Sequence, residues 1–176
     1  MAKEVFHYTY GHKLASILAS GGLMPTGVTM PSQERKALWY SARKDFEPTA
    51  LKPVVHPGSG VPIQVPFEEL HELAGAYRFT ADSTALRLKG WPSCCRVLGI
   101  MPTDAAKMVA EGIRLGASPT DWFATTHWRS VSLHRFQAWN GNAWVDAVLE
   151  EEVERRQGLA VRSAATGARW ENLRAG

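Results

Sequence analysis

The stretch VFHYTYGHKLASILASGGLMP, from Val5 to Pro25, decides how the fold begins. Its first residues are aromatic or β-branched except for His7, a composition that is typical of a β-strand. Beyond the first glycine, Leu14 and Leu18 recur at helical spacing, and the Gly-Gly pair that follows is a helix stop signal. The sequence therefore predicts a strand, a helix and a turn, with a histidine in the middle of the strand.

The composition is that of one ordinary globular domain. The 176 residues are 45% hydrophobic and 21% charged, and no apolar run is long enough for a membrane span, so no membrane partner is expected. The two cysteines, Cys94 and Cys95, are adjacent, which suits neither a disulfide framework nor a metal site. We therefore expect a cytoplasmic protein without a metal. The net charge of +3 and the pI of about 9.0 leave anionic partners open.

Short strands and a few helices are expected along the rest of the chain. The patterns predict strands over 37–41, 63–67, 77–80 and 96–100, helices over 68–73 and 104–113, and a loop or lid over 114–127. Asn140-Gly141 predicts a hairpin between 130–139 and 143–148, and the run EEEVERR predicts a helix. The expected fold class is α+β, with one domain over residues 1–157 that has short mixed or antiparallel strands in two small sheets. A basic tail over 158–176 is expected to be mobile.

Three features of the opening stretch carry a family resemblance. They are His7-Tyr8-Thr9, a helix of the form K-L-A-S-I-L and the Gly-Gly-Leu that follows, and together they resemble the entry motif of the ADP-ribosyltransferase superfamily. The motif is similar in particular to that of the DarT-type toxins, which modify bases in DNA, and of the related RNA 2′-phosphotransferases. The resemblance implies an ADP-ribosyltransferase-like fold and NAD as co-substrate. It also implies that His7 holds the ribose and diphosphate side of NAD, with Thr9 nearby.

A second segment, ALWYSARKDFEPTA, follows at residues 37–50. The resemblance implies that an aromatic ring here stacks on nicotinamide, a role for which Tyr40 is the candidate, while the Ser41 hydroxyl can fix the carboxamide. Packing in the core of a sheet explains the same aromatic residues equally well. Arg78 is a candidate for binding the diphosphate because a guanidinium matches phosphate oxygens, and Arg43 and Lys44 are further candidates. Ordinary solvated surface positions are the alternative for these basic residues.

The third element of the family pattern is a glutamate on a late strand. It holds the nicotinamide ribose and stabilises positive charge as the glycosidic bond breaks. Here the segment HRFQAW presents Gln137 at that place, and a glutamine can hold a hydroxyl but lends no negative charge. Either Gln137 performs a reduced form of this role, or the carboxylate is Glu47 or Asp146, or the protein binds NAD-like ligands without efficient turnover. We expect His7, Tyr40 and Gln137 to be the catalytic set.

The resemblance thus implies an NAD-dependent ADP-ribosyltransferase that releases nicotinamide and modifies a macromolecule. The basic balance favours DNA or RNA slightly over a protein as acceptor. A bacterial or phage toxin or defence role would follow from the resemblance. The alternatives are a catalytically weak or inactive NAD- or nucleotide-binding module of the same fold, and an RNA 2′-phosphotransferase, which would need a basic pocket for the extra phosphate.

Overall fold

The computed structural model describes residues 2–26, 35–51, 54–55, 62–63 and 65–165, and it confirms the expectation of a single α+β domain. The helices are α1 (Gly11–Ser20), α2 (Phe67–Ala74), α3 (Ser93–Leu98), α4 (Pro102–Arg114) and α5 (Leu149–Ala165). The strands are β1 (Glu4–Tyr10), β2 (Gly22–Leu23), β3 (Leu38–Ser41), β4 (Val54–Val55), β5 (Pro62–Ile63), β6 (Ala76–Asp82), β7 (Lys89–Gly90), β8 (Trp122–Thr125), β9 (Arg129–Ser130), β10 (Arg135–Trp139) and β11 (Trp144–Asp146).

One antiparallel sheet dominates the described part of the chain. Its seven strands run in the order β11-β10-β6-β1-β3-β8-β7, while β2 with β9 and β4 with β5 form separate two-residue ladders. The strand predicted from the opening stretch, β1, lies at the centre and pairs with β6 along its whole length, from Glu4 opposite Asp82 to Tyr10 opposite Ala76. The expectation of two small sheets is corrected, because long-range pairing joins most strands into one sheet.

The sheet has two faces because successive side chains of a strand point to opposite sides. We call one of them the helix face: it carries His7, Tyr40 and Phe79, and its buried core includes side chains from α1 and α5. The other, which we call the opposite face, carries Phe6 and Ser41, which are directly paired between β1 and β3. This division decides which candidate residues can share a site.

The residues predicted as a strand over 96–100 lie in a helix and its end. The helix α3 begins at Ser93 and ends at Leu98, and it buries Cys94, Cys95 and Leu98 on one side. A short apolar run does not distinguish a strand from a buried helical turn, which is why the prediction was wrong. Burial raises the pKa of the Cys94 thiol to about 12, so this thiol is protonated at neutral pH.

The residues 114–127, predicted as a loop or lid, contribute β8, which pairs with β3 and β7 inside the main sheet. The strand predicted over 63–67 is also corrected, because α2 begins at Phe67. The helix predicted over 104–113 is present as α4, and its apolar side chains Met108 and Ile113 are exposed. No helix among the described residues has the length and apolar character that crossing a membrane requires.

The tail expected from residue 158 begins inside α5, which continues to Ala165. Residues 166–176, which the sequence also predicts to be mobile, lie outside the described residues.

Candidate functional site

Three predicted site residues, His7, Thr9 and Tyr40, lie on the helix face. His7 of β1 and Tyr40 of β3 are neighbours across the strand pair, and their ring centroids are 5.7 Å apart at an interplanar angle of 58°. The imidazole of His7 is half-buried, and its Nδ1 lies 2.8 Å from the carbonyl oxygen of Trp39. Tyr40 is 3% exposed and Thr9 is buried. The structure therefore brings the predicted imidazole and phenol together.

A second histidine fixes the orientation of the Tyr40 phenol. The Tyr40 hydroxyl lies 2.9 Å from Nε2 of His134, and Nδ1 of His134 lies 2.8 Å from the carbonyl oxygen of Ser130. Because a carbonyl oxygen only accepts, Nδ1 carries the proton, and the Tyr40 hydroxyl donates to Nε2. No motif in the sequence singles out His134. Among the described residues there is no group of three or more His, Cys, Asp or Glu side chains that could hold a metal ion.

Burial lowers the pKa of His134, and the nearby Arg129 acts in the same direction, while the hydrogen bond to Ser130 opposes the shift. The neutral imidazole is therefore the form that the fold prefers. In the neutral form, Nε2 of His134 accepts a hydrogen bond from the Tyr40 hydroxyl. Protonation of Nε2 would turn it into a donor that faces another donor, the phenol hydroxyl.

We expect the free energy of unfolding to decrease as the pH falls below about 6.5, the ordinary pKa of histidine in an unfolded chain. Because the pKa of His134 is lower in the folded state, the unfolded chain takes up a proton first as the pH falls. The stability that is fully present above the unfolded-state pKa is therefore lost as the pH falls from the unfolded-state pKa to the folded-state pKa. The pKa values of His12 and His71 are also lowered in the folded state, so these residues contribute in the same direction. Urea unfolding at several pH values gives the slope of the unfolding free energy against pH, and His134→Gln should reduce this slope. The exposed His127→Gln is the control, and equal slopes in both variants would contradict the prediction.

The predicted residue Ser41 lies on the opposite face, where it contacts Glu47. The Ser41 hydroxyl donates to Glu47 Oε2 at 2.7 Å, and Glu47 Oε1 accepts from the Thr49 hydroxyl at 2.7 Å and from Trp122 Nε1 at 3.3 Å. Glu47 is only 4% exposed. The carboxylate thus joins the end of β3, the turn that begins at Pro48 and the strand β8. These hydrogen bonds give Glu47 a structural role, and they lie on the face of the sheet away from His7.

The remaining predicted pair, Arg78 and Gln137, is also on the opposite face. Tyr8 points to the same side of β1 as Phe6, and it pairs with Arg78, which in turn pairs with Gln137. Gln137 Oε1 accepts from Arg78 Nε at 2.7 Å and from the Thr80 hydroxyl at 3.2 Å, and its amide nitrogen donates to Asp146 at 2.8 Å. Gln137, Glu47 and Asp146, the candidates for the third family position, are therefore separated by the sheet from His7 and Tyr40.

The other basic candidates, Arg43 and Lys44, lie in the segment that follows β3. The Arg43 guanidinium donates to the carbonyl oxygen of Gly116 at 2.5 Å, and the Lys44 side chain is exposed, while its carbonyl accepts from Arg78. Contacts of Arg43, Lys44 and Arg78 with a phosphate stay a prediction.

Comparisons of the chain with protein-family models, curated proteins and solved structures give no match.

Proposed function

We propose that this protein is an NAD-dependent ADP-ribosyltransferase with an ADP-ribosyltransferase-like fold, and that His7 and Tyr40 on the helix face bind NAD. The observation that carries the proposal is the 5.7 Å separation of the His7 and Tyr40 ring centroids. The family resemblance assigns these two groups to neighbouring parts of one dinucleotide, which requires them to be close in space. The residues are distant in the sequence, so their proximity is an independent observation in favour of the resemblance.

In the proposed reaction, the nicotinamide–ribose bond breaks and nicotinamide leaves with the bonding electrons. The anomeric carbon of the ribose becomes cationic, and a nucleophile of the acceptor bonds to it and loses a proton. His7, which is half-buried, would hold the ribose and diphosphate side. The Tyr40 ring is 3% exposed and bonded to His134, so it would face the nicotinamide ring only after the core beside it opens. A nucleic acid is the preferred acceptor before a protein, because the sequence pI of about 9.0 favours anionic partners.

Replacing His7 with alanine should abolish NAD binding and nicotinamide release. The melting temperature should stay within about 4 °C of the wild type, because a half-buried side chain at this position contributes little to the core. Calorimetric titration with NAD and a thermal melt measure both quantities. His12→Ala, which removes an exposed histidine from the adjacent helix α1, is the matched control.

Two results would count against the proposal in different ways. A large loss of stability with intact NAD binding would show that His7 has an architectural role. A wild-type protein that neither binds nor cleaves NAD would remove the proposed function altogether.

A second candidate function is an NAD-binding module of the same fold with weak or no turnover. The position of Gln137, Glu47 and Asp146 on the opposite face favours it, since a carboxylate beside the ribose is what would stabilise the cationic centre. Incubation of the purified protein with NAD, alone and with DNA, RNA or cell extract, separates the two candidates. Saturable NAD binding without free nicotinamide under all four conditions would favour the module, and nicotinamide release would favour the transferase.

A further inference from the structure

Residues 43–45, which we call the strap, are held against the opposite face of the sheet. Three successive carbonyl oxygens of the strap accept hydrogen bonds from side chains of three different strands. Tyr8 of β1 donates to the first carbonyl at 2.5 Å, Arg78 of β6 donates to the second, and Nε1 of Trp144 on β11 donates to the third at 2.6 Å. Side chains from three strands of the main sheet, β1, β6 and β11, therefore hold the strap in place.

The guanidinium of Arg78 is the centre of this arrangement. Arg78 is 8% exposed, and its Cζ lies 4.3 Å from the ring centroid of Phe6 and 4.6 Å from that of Trp144. Its hydrogen-bond acceptors are neutral and include the amide oxygen of Gln137, the backbone carbonyl of Lys44 and the Tyr8 hydroxyl. The ion pairs among the described residues do not include Arg78. The Glu4 carboxylate stabilises its charge without a direct ion pair, and the carboxylate of Asp146 is bonded to Gln137 and paired with Arg135.

A buried cation that no anion contacts directly is costly, because aromatic faces and neutral oxygens only partly replace the water that it has lost. An anionic oxygen on the same donors would form charge-assisted bonds, which are roughly twice as strong as bonds to neutral acceptors. Arginine is also suited to phosphate because its planar fork matches two phosphate oxygens at once. The donors on the opposite face thus fit a phosphate group better than the strap carbonyls to which they now bond.

We propose that Tyr8, Arg78 and Trp144 form a binding site for a phosphate oxyanion, and that the ligand displaces the strap when it binds. The strap carbonyls occupy the donors when the ligand is absent, so the strap competes with the ligand and lowers its apparent affinity. This site lies on the face away from His7 and Tyr40. The inference does not depend on NAD binding, and a protein that fails to bind NAD can still bind the oxyanion.

The test uses the full chain and inorganic pyrophosphate as the probe, with inorganic phosphate and sulfate in parallel titrations. Calorimetry measures binding, and hydrogen exchange read by mass spectrometry measures the opening of residues 42–46. We expect saturable pyrophosphate binding below about 10 mM, faster exchange in residues 42–46 on binding, and a loss of at least about tenfold in affinity in Arg78→Gln. Arg114→Gln, which removes an exposed arginine from helix α4, should change the affinity less than about twofold.

Two further variants keep the test decisive if Arg78→Gln does not fold. Tyr8→Phe and Trp144→Phe each remove one donor and keep an aromatic ring, and each should weaken pyrophosphate binding several-fold. The proposal is overturned if the wild type shows no saturable binding, or if Arg114→Gln weakens binding as much as Arg78→Gln or the two phenylalanine variants. Binding that leaves exchange in residues 42–46 unchanged or slower would overturn displacement of the strap.

Discussion

Replacing Glu47 with alanine should lower the free energy of unfolding by about 3 to 5 kcal/mol. The side chain is almost fully buried and accepts hydrogen bonds from Ser41, from the backbone and hydroxyl of Thr49, and from Trp122. Alanine would leave these donors without an acceptor in a site that water reaches poorly, and it would open a cavity between β3 and β8. Urea unfolding followed by circular dichroism measures the change.

The same experiment decides what kind of carboxylate Glu47 is. Glu47→Gln keeps the volume and one acceptor oxygen, so it should cost less than alanine, and Glu69→Ala on the exposed side of α2 should change stability by no more than about 0.5 kcal/mol. If Glu47→Ala is as stable as Glu69→Ala and loses nicotinamide release, then Glu47 is a catalytic carboxylate and the structural interpretation is wrong.

Gly75→Ala should destabilise the fold by about 3 kcal/mol, the second large effect that we expect. Gly75 ends α2 with φ +68° and ψ 140°, a conformation that residues with a Cβ rarely adopt. A Cβ at this position would lie 1.7 Å from Nη2 of Arg156. Arg156 donates from Nε to the Tyr77 hydroxyl at 2.9 Å, so moving its side chain would also disturb the contact between α5 and β6.

Gly21→Ala is the matched control for this prediction. Gly21 also has a positive φ, +64°, but its ψ of 11° is in the left-handed helical region, and a Cβ added there would meet nothing within 4 Å. The cost there should be that of the backbone alone, about 1 kcal/mol. Thermal or urea unfolding of both variants gives the comparison, and equal losses would show that neither the ψ of Gly75 nor its contact with Arg156 adds to the cost.

The elements that the sequence predicted well are those with strong local signals. The strand before Gly11 and the helix behind it are present as β1 and α1, and Gly21 ends the helix with a left-handed φ. The hairpin around Asn140 also forms, and the Asn140 side chain accepts from the backbone of Asn142 and Ala143. In each case the turn chemistry and the periodicity of a few neighbouring residues are sufficient.

The elements that were predicted wrongly depend on distant partners. The sequence of β8 is short and lies between turns, and it becomes a strand because β3 and β7 pair with it. The residues of α3 are helical because this lets Cys94, Cys95 and Leu98 bury together against Ala37 and Ala124. Neither the pairing nor the burial is visible in a window of a few residues, because the partners lie elsewhere in the chain.

The candidate site divides in the same way. His134 and Glu47 carry no motif that separates them from other polar residues, and their roles arise from contacts with Tyr40 and Ser41 across the fold. The alternation of side chains along a strand already required Tyr40 and Ser41 to point to opposite sides. It could not tell which of them would join His7.

By itself, the sequence determined the opening strand, the helix with its glycine stop, the late hairpin and the α+β class, because backbone preferences and hydrophobic periodicity act over a few residues. Only the tertiary structure decided the register that sets Phe6 opposite Ser41, and with it the grouping of His7 with Tyr40 on one face and of Ser41 with Arg78 and Gln137 on the other. That register depends on backbone hydrogen bonds between strands far apart in the chain, and a shift of one residue would exchange the two faces.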